Sequence, residues 1–171
     1  MRAFIGVLAA TGLLVCLETG VAAEPMRRFV LAAGANDGGD DRVTLRYAAT
    51  DAEEFSEVML QMGGATAGNS LFLKDPDLAD FAQAVDKVSR LVKEARGEGA
   101  RTEVWIYYSG HADEESLLLG GERLGYRELR KMMDGFEADV RVAVLDACAS
   151  GAITRIKGGQ RRKAFLVDAS S

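Results

Sequence analysis

The chain has 171 residues, one domain's worth, and its 48% hydrophobic and 27% charged residues are the balance of an ordinary globular protein. A formal net charge of −5 excludes the clustered basic surface that nucleic-acid binding needs, and the one basic cluster, Arg161-Arg162-Lys163, is short. One histidine and two cysteines make a poor ligand set for zinc, so no metal is expected.

The chain opens with Arg2 and a run from Ala3 to Leu17 that is almost entirely apolar or small. Val21-Ala22-Ala23 puts small residues where a signal peptidase reads, with Glu24-Pro25 beyond. Residues 1–23 therefore read as a secretory signal and 24–171 as an exported domain, periplasmic or secreted. The run is short for a stable membrane span, although an uncleaved anchor is the alternative. Lipid attachment at Cys16 is disfavoured by the bulky Val15. Cleavage removes Cys16 and leaves single copies of two reactive residues, Cys148 and His111. No internal disulfide can then form, and Cys148 is a free thiol or an intermolecular partner.

Phe29–Gly34 reads as a buried strand, followed by the turn-rich segment Ala35–Asp41. Tyr47–Met62 has helical spacing, with Ala48, Ala52, Phe55, Met59 and Met62 on one face, and Gly63-Gly64 stops it. Leu71–Leu73 is a short strand. Asp75 is expected to cap the next helix, with Pro76 in its first turn. Leu78, Phe81, Val85, Val88, Leu91, Val92 and Ala95 give that helix its apolar face. Glu103–Tyr108 (EVWIYY) is the clearest strand, apolar enough to be covered on both faces. Leu117–Leu119 and Glu122–Leu124 flank Gly120-Gly121 as a small hairpin. Arg127–Phe136 is a helix with Leu129, Met132, Met133 and Phe136 inward, and Val140–Leu145 a second strong strand. A short helix over Ala149–Ile156, a basic loop over Gly158–Lys163 and a last strand over Ala164–Val167 complete the reading. Strands and helices alternate at βαβ spacing, which predicts a three-layer α/β/α sandwich with a mostly parallel sheet.

Ligands in open α/β sheets bind beyond the carboxyl ends of the strands. His111 lies three residues past the strand ending at Tyr108, and Cys148 three past the strand ending at Leu145. If those strands are neighbours, a base and a thiol emerge side by side. An imidazole or a helix amino end would lower the thiol's ordinary pKa of about 8.5. Taken singly, a histidine there is equally a surface or packing residue, and a cysteine a small buried hydrophobe. Asp37, Asp40 and Asp41 could hold calcium or form a solvated turn, and no site is assigned to them.

VWIYYSGHAD resembles the histidine motif of caspase-like cysteine peptidases: an apolar strand, then Ser-Gly-His. VAVLDACASG resembles their cysteine motif: an apolar strand, then Asp-x-Cys-x-Ser-Gly. Leu45–Ala52 and the helix after it resemble the first helix region of metacaspases and bacterial caspase homologues. The resemblance runs from about Phe29 to the end. It implies peptide hydrolysis by a Cys148–His111 dyad, with protein or peptide as substrate and no cofactor, although some metacaspases need calcium. It also implies that Asp51 and Asp146 line the primary pocket and select arginine or lysine. Two carboxylates in a pocket do favour a cationic side chain. Outside the resemblance, Asp51 fits an ordinary acid in a helix's first turn and Asp146 a turn residue. The basic loop at Arg161-Arg162-Lys163 falls where the family joins its two subunits, so self-processing there is a further expectation. Two departures stand out: Ala112 replaces the family's glycine after the histidine, and the family has a further core strand beyond the equivalent of Ser171, so the chain reads as C-terminally truncated. A non-catalytic interaction module, or another cysteine hydrolase such as an esterase or amidase, are the rival readings.

Overall fold

The computed structural model describes residues 25–147. The signal over 1–23, Cys148, the helix at 149–156, the basic loop at 158–163 and the strand at 164–167 lie outside the described residues. The elements run β1 (Met26–Ala35), α1 (Ala48–Gln61), β2 (Ala65–Lys74), α2 (Leu78–Gly97), β3 (Arg101–Gly110), β4 (Ser116–Leu119), β5 (Glu122–Gly125), α3 (Tyr126–Gly135) and β6 (Val140–Asp146).

Four strands form one parallel sheet in the order β2-β1-β3-β6. Strand alternation sorts the side chains onto its two faces. Val30, Ala32, Trp105, Tyr107 and Val144 meet α1 through Ala52, Phe55 and Met59. Phe29, Leu31, Val104, Ile106 and Tyr108 face α2 and α3 in the larger core, which also takes in Phe81, Val88, Leu129 and Phe136. One helix thus covers one face and two cover the other, which makes three layers. The apolar periodicity of α2 is borne out at Phe81, Val85, Val88, Val92 and Ala95, all buried.

Element bounds shift by a few residues, and β3 runs on to Gly110, so His111 follows its strand directly and not three residues later; three further details differ from the sequence expectation. The α2 cap is Asp77, whose side chain accepts a hydrogen bond from Asp80 N at 2.7 Å. Asp75 instead adopts a positive φ of 47°, and its carboxylate accepts Asn36 N at 2.7 Å, tying the end of β2 to the end of β1. β2 is also longer than its apolar core, Leu71–Leu73. Its first half is a polar edge with a bulge, where β1 advances from Arg28 to Val30 while β2 advances from Ala65 to Ser70. Met62 is not on the inward face of α1. The helix ends one residue before it, and the side chain is 80% exposed.

At the amino ends of the strands, Arg28 pairs with Glu103 at 2.6 Å, with side chains 25% and 14% exposed. Arg28 also donates to Gly63 O and lies 5.8 Å from the centre of the Trp105 ring, while Trp105 Nε1 donates to Glu103. Glu103→Ala strands a half-buried guanidinium and is expected to cost about 2 kcal/mol in urea unfolding. Glu137→Ala breaks the exposed Lys93–Glu137 pair and should stay within about 0.5 kcal/mol.

Candidate active site

β3 and β6 are neighbours in parallel register, with Tyr108 opposite Leu145 and Ser109 opposite Asp146. The two strands that carry the histidine and cysteine motifs therefore leave the sheet side by side. Continuing the alternation along β3 from Trp105 and Tyr107 puts Ser109 on the α1 face. Asp146, two residues after Val144, falls on the same face of β6.

Asp51 enters from above, in the first turn of α1. The helix begins where it does because Gly34 lets its first turn press onto β1. A Cβ at Gly34 would collide with Ala48 O and Ala49 Cα. Asn36 Oδ1 accepts Ala49 N at 3.3 Å and supplies the cap that Tyr47 does not. Asp51 and Asp146 then line one cleft of about 210 Å³, together with Ser109, Gly110, Arg46 and Tyr47. So Asp51 is both a first-turn acid and a wall of the cleft; the two descriptions are compatible.

Tyr107, a buried core residue, reaches the cleft through Asp146, and sequence reasoning missed it because it reads as one more strand aromatic. Its ring stacks on Phe55 at 4.3 Å, and its hydroxyl donates to Asp146 Oδ2 at 3.4 Å. Burial pushes the phenol up first, then the charge of Asp146, with Asp51 adding to it and a Ser109 hydrogen bond opposing. Tyr107 therefore stays a neutral donor that can orient Asp146.

His111 is half-buried just past β3. Its carbonyl accepts Leu118 N at 3.0 Å and the hydroxyl of fully buried Tyr108 at 2.7 Å, so the backbone at this point is fixed from two sides. Its Nε2 lies 2.8 Å from Val43 O. A carbonyl can only accept, so Nε2 carries a proton, and in the neutral ring Nδ1 keeps the lone pair. That tautomer suits a base whose acceptor nitrogen is Nδ1. Ala112 is buried and bridges Leu117. Asp75 is the one non-glycine residue with positive φ among the described residues, so Ala112 needs no glycine conformation.

Beyond His111, Asp113 ties the turn into β4. Its Oδ1 accepts Glu115 N at 2.9 Å, Ser116 N at 2.8 Å and Ser116 Oγ at 2.9 Å, and Arg123 pairs with Oδ2 at 2.5 Å. The β4–β5 hairpin closes on Gly120 and Gly121, whose φ values of 55° and 84° are those of a two-residue turn that favours glycine. Burial pushes the Asp113 carboxyl up, but the hydrogen bonds from Glu115 and Ser116, with the Arg123 charge, outweigh it and hold it below the usual range. A depressed carboxyl stabilises the fold fully above its unfolded value of about 4, and that contribution is lost as pH falls through the lower folded value. Asp113→Asn should therefore be less stable than the parent at pH 7, with the gap narrowing at pH 3. Urea unfolding at the two pH values reads this, and a gap of equal size at both would count against it.

Among the described residues no cluster of three or more His, Cys, Asp or Glu is arranged to hold a metal, and no helix is long and apolar enough to cross a membrane. In the acidic loop, Asp37 turns inward on its own backbone, accepting Gly39 N at 2.9 Å. A scan against protein-family models finds no match, and a search of curated proteins finds none.

Proposed function

We propose that the chain is an exported caspase-like cysteine endopeptidase that cuts after arginine or lysine. The observation that carries this reading is the β3–β6 pairing, with Ser109 opposite Asp146 and Asp51 on the wall of the same cleft. His111 is two residues past Ser109, and Cys148 two past Asp146. In sequence, Cys148 follows β6 as His111 follows β3.

In the proposed reaction the substrate's cationic side chain enters the cleft between Asp51 and Asp146. His111 Nδ1 takes the proton from the Cys148 thiol, and the thiolate attacks the scissile carbonyl. Backbone amides hold the oxyanion, and His111 returns the proton to the leaving amine. Water, activated by the same imidazole, then releases the acid. No cofactor takes part.

The test is cleavage of fluorogenic peptides ending in Arg, Lys or Asp by protein beginning at Glu24, with and without calcium. Cys148→Ala is the control. Cleavage after Arg or Lys that vanishes in the control supports the reading. Cleavage after Asp alone keeps the peptidase and removes the roles of Asp51 and Asp146. A folded chain with no activity points to a non-catalytic module.

A further inference from the structure

We propose that Gly38 is a positioning residue: its bare backbone is the seat on which the His111 imidazole rests while Val43 O holds Nε2. The segment between β1 and α1 closes on itself through Leu45 N to Asn36 O at 2.8 Å and Arg42 N to Gly39 O at 3.0 Å. Asn36 anchors this ring to both neighbours, through Asp75 and the first turn of α1. The imidazole meets the ring at two places. Nε2 lies 2.8 Å from Val43 O, and the ring's flank lies against Gly38. A Cβ at Gly38 would overlap His111 Cγ and Cδ2 and lie 3.0 Å from its Cβ.

The two adjacent glycines are there for different reasons. Gly39 has a φ of 98°, a conformation that L side chains rarely adopt. Gly38 is not among the positive-φ glycines, so no left-handed backbone requires glycine there, and the three atoms nearest to an added Cβ all belong to His111. Any side chain at position 38 must push the ring off Val43 O. The tautomer is then no longer held, and Nδ1 is no longer aimed.

The catalytic consequence rests on the peptidase reading above; the structural claim does not. The protein has a single histidine, so its imidazole resonances need no assignment. Nitrogen–proton correlation spectra above the imidazole pKa should show the Nε2–H tautomer in the parent and a mixture in Gly38→Ala. Peptide cleavage by Gly38→Ala should lose about 10²-fold in kcat with KM unchanged, the cost of a misplacement of roughly 1 Å. Asp40→Ala, exposed in the same loop, should change neither. Stability supplies the arm that survives poor folding. Gly38→Ala should destabilise the parent and cost clearly less once His111→Ala has removed the ring and left only the Cβ contact. An unchanged tautomer and kcat in Gly38→Ala, or an equal stability cost with and without the ring, overturns the proposal. A parent that cleaves no peptide overturns the peptidase reading alone, and the spectra and the stability cycle still decide the role of Gly38.

Discussion

Replacing His111 with alanine is expected to lower kcat/KM on an arginine peptide by about 10²–10⁴-fold, the usual worth of a positioned general base. On the proposed reading the imidazole serves the thiol while the substrate's cationic side chain occupies the Asp51–Asp146 cleft, so KM should change little. The pH profile should change as well as the rate. Without a base, activity depends on spontaneous ionisation of a thiol with a pKa of about 8.5, so the residual rate should climb through that range. In the parent, the hydrogen bond from Nε2 to Val43 O leaves Nδ1 as the acceptor of the neutral ring. Alkylation of Cys148 gives a second readout that needs no substrate. Its rate against pH should show a depressed thiol pKa in the parent and an ordinary one in His111→Ala. The fold should survive, since the backbone of His111 is held through its carbonyl, by Tyr108 and Leu118, and not through the ring. Equal kcat/KM in parent and variant would show that the thiol, if it acts at all, is served by another base.

The alternation of strands and helices was legible because each long element carries one strong period. Val88 and Val92 fall on one side of α2 at helical spacing, and EVWIYY leaves little choice but a covered strand. The neighbouring of β3 and β6 was only a condition in the sequence, since strand order is set by which faces the helices bury and not by any local motif. The Asp77 cap was missed because Asp75-Pro76-Asp77 offers two acids a residue apart. Only the tie from Asp75 to Asn36, 39 positions away in the chain, decides between them. Asp51 and Asp146 were found through a resemblance in motif, and the geometry places them on one cleft. Gly38, Val43 and Tyr107 were not found. A main-chain carbonyl carries no residue signature, a glycine that makes room for a ring looks like any turn glycine, and Tyr107 is a core aromatic whose hydroxyl alone reaches Asp146.

Neutralising the cleft should change specificity more than it changes catalysis. Asp51→Asn and Asp146→Asn keep the shape of each side chain and remove its charge. A hydrogen bond to a charged partner is worth about 1.5–3 kcal/mol, so each variant should lose roughly 10- to 100-fold on an arginine peptide. The pair should lose more than either single but less than the product of the singles, because both carboxylates would face one guanidinium. Asp146 should matter at least as much as Asp51, since Tyr107 orients it through a neutral hydroxyl. A glutamine peptide is the decisive comparison: its cleavage should hold or rise as the arginine rate falls, because a neutral side chain no longer faces two unpaired carboxylates. Asp51→Asn also removes an acid from the first turn of α1, worth about 0.3–1 kcal/mol of stability, so its thermal midpoint should be recorded beside its rates. Arginine and glutamine peptides losing rate in step would mean that the two carboxylates shape the cleft without reading charge. Loss confined to arginine would make the cleft a cation pocket and tie the specificity of the reaction to the strand pair that brings Asp146 up beside Ser109.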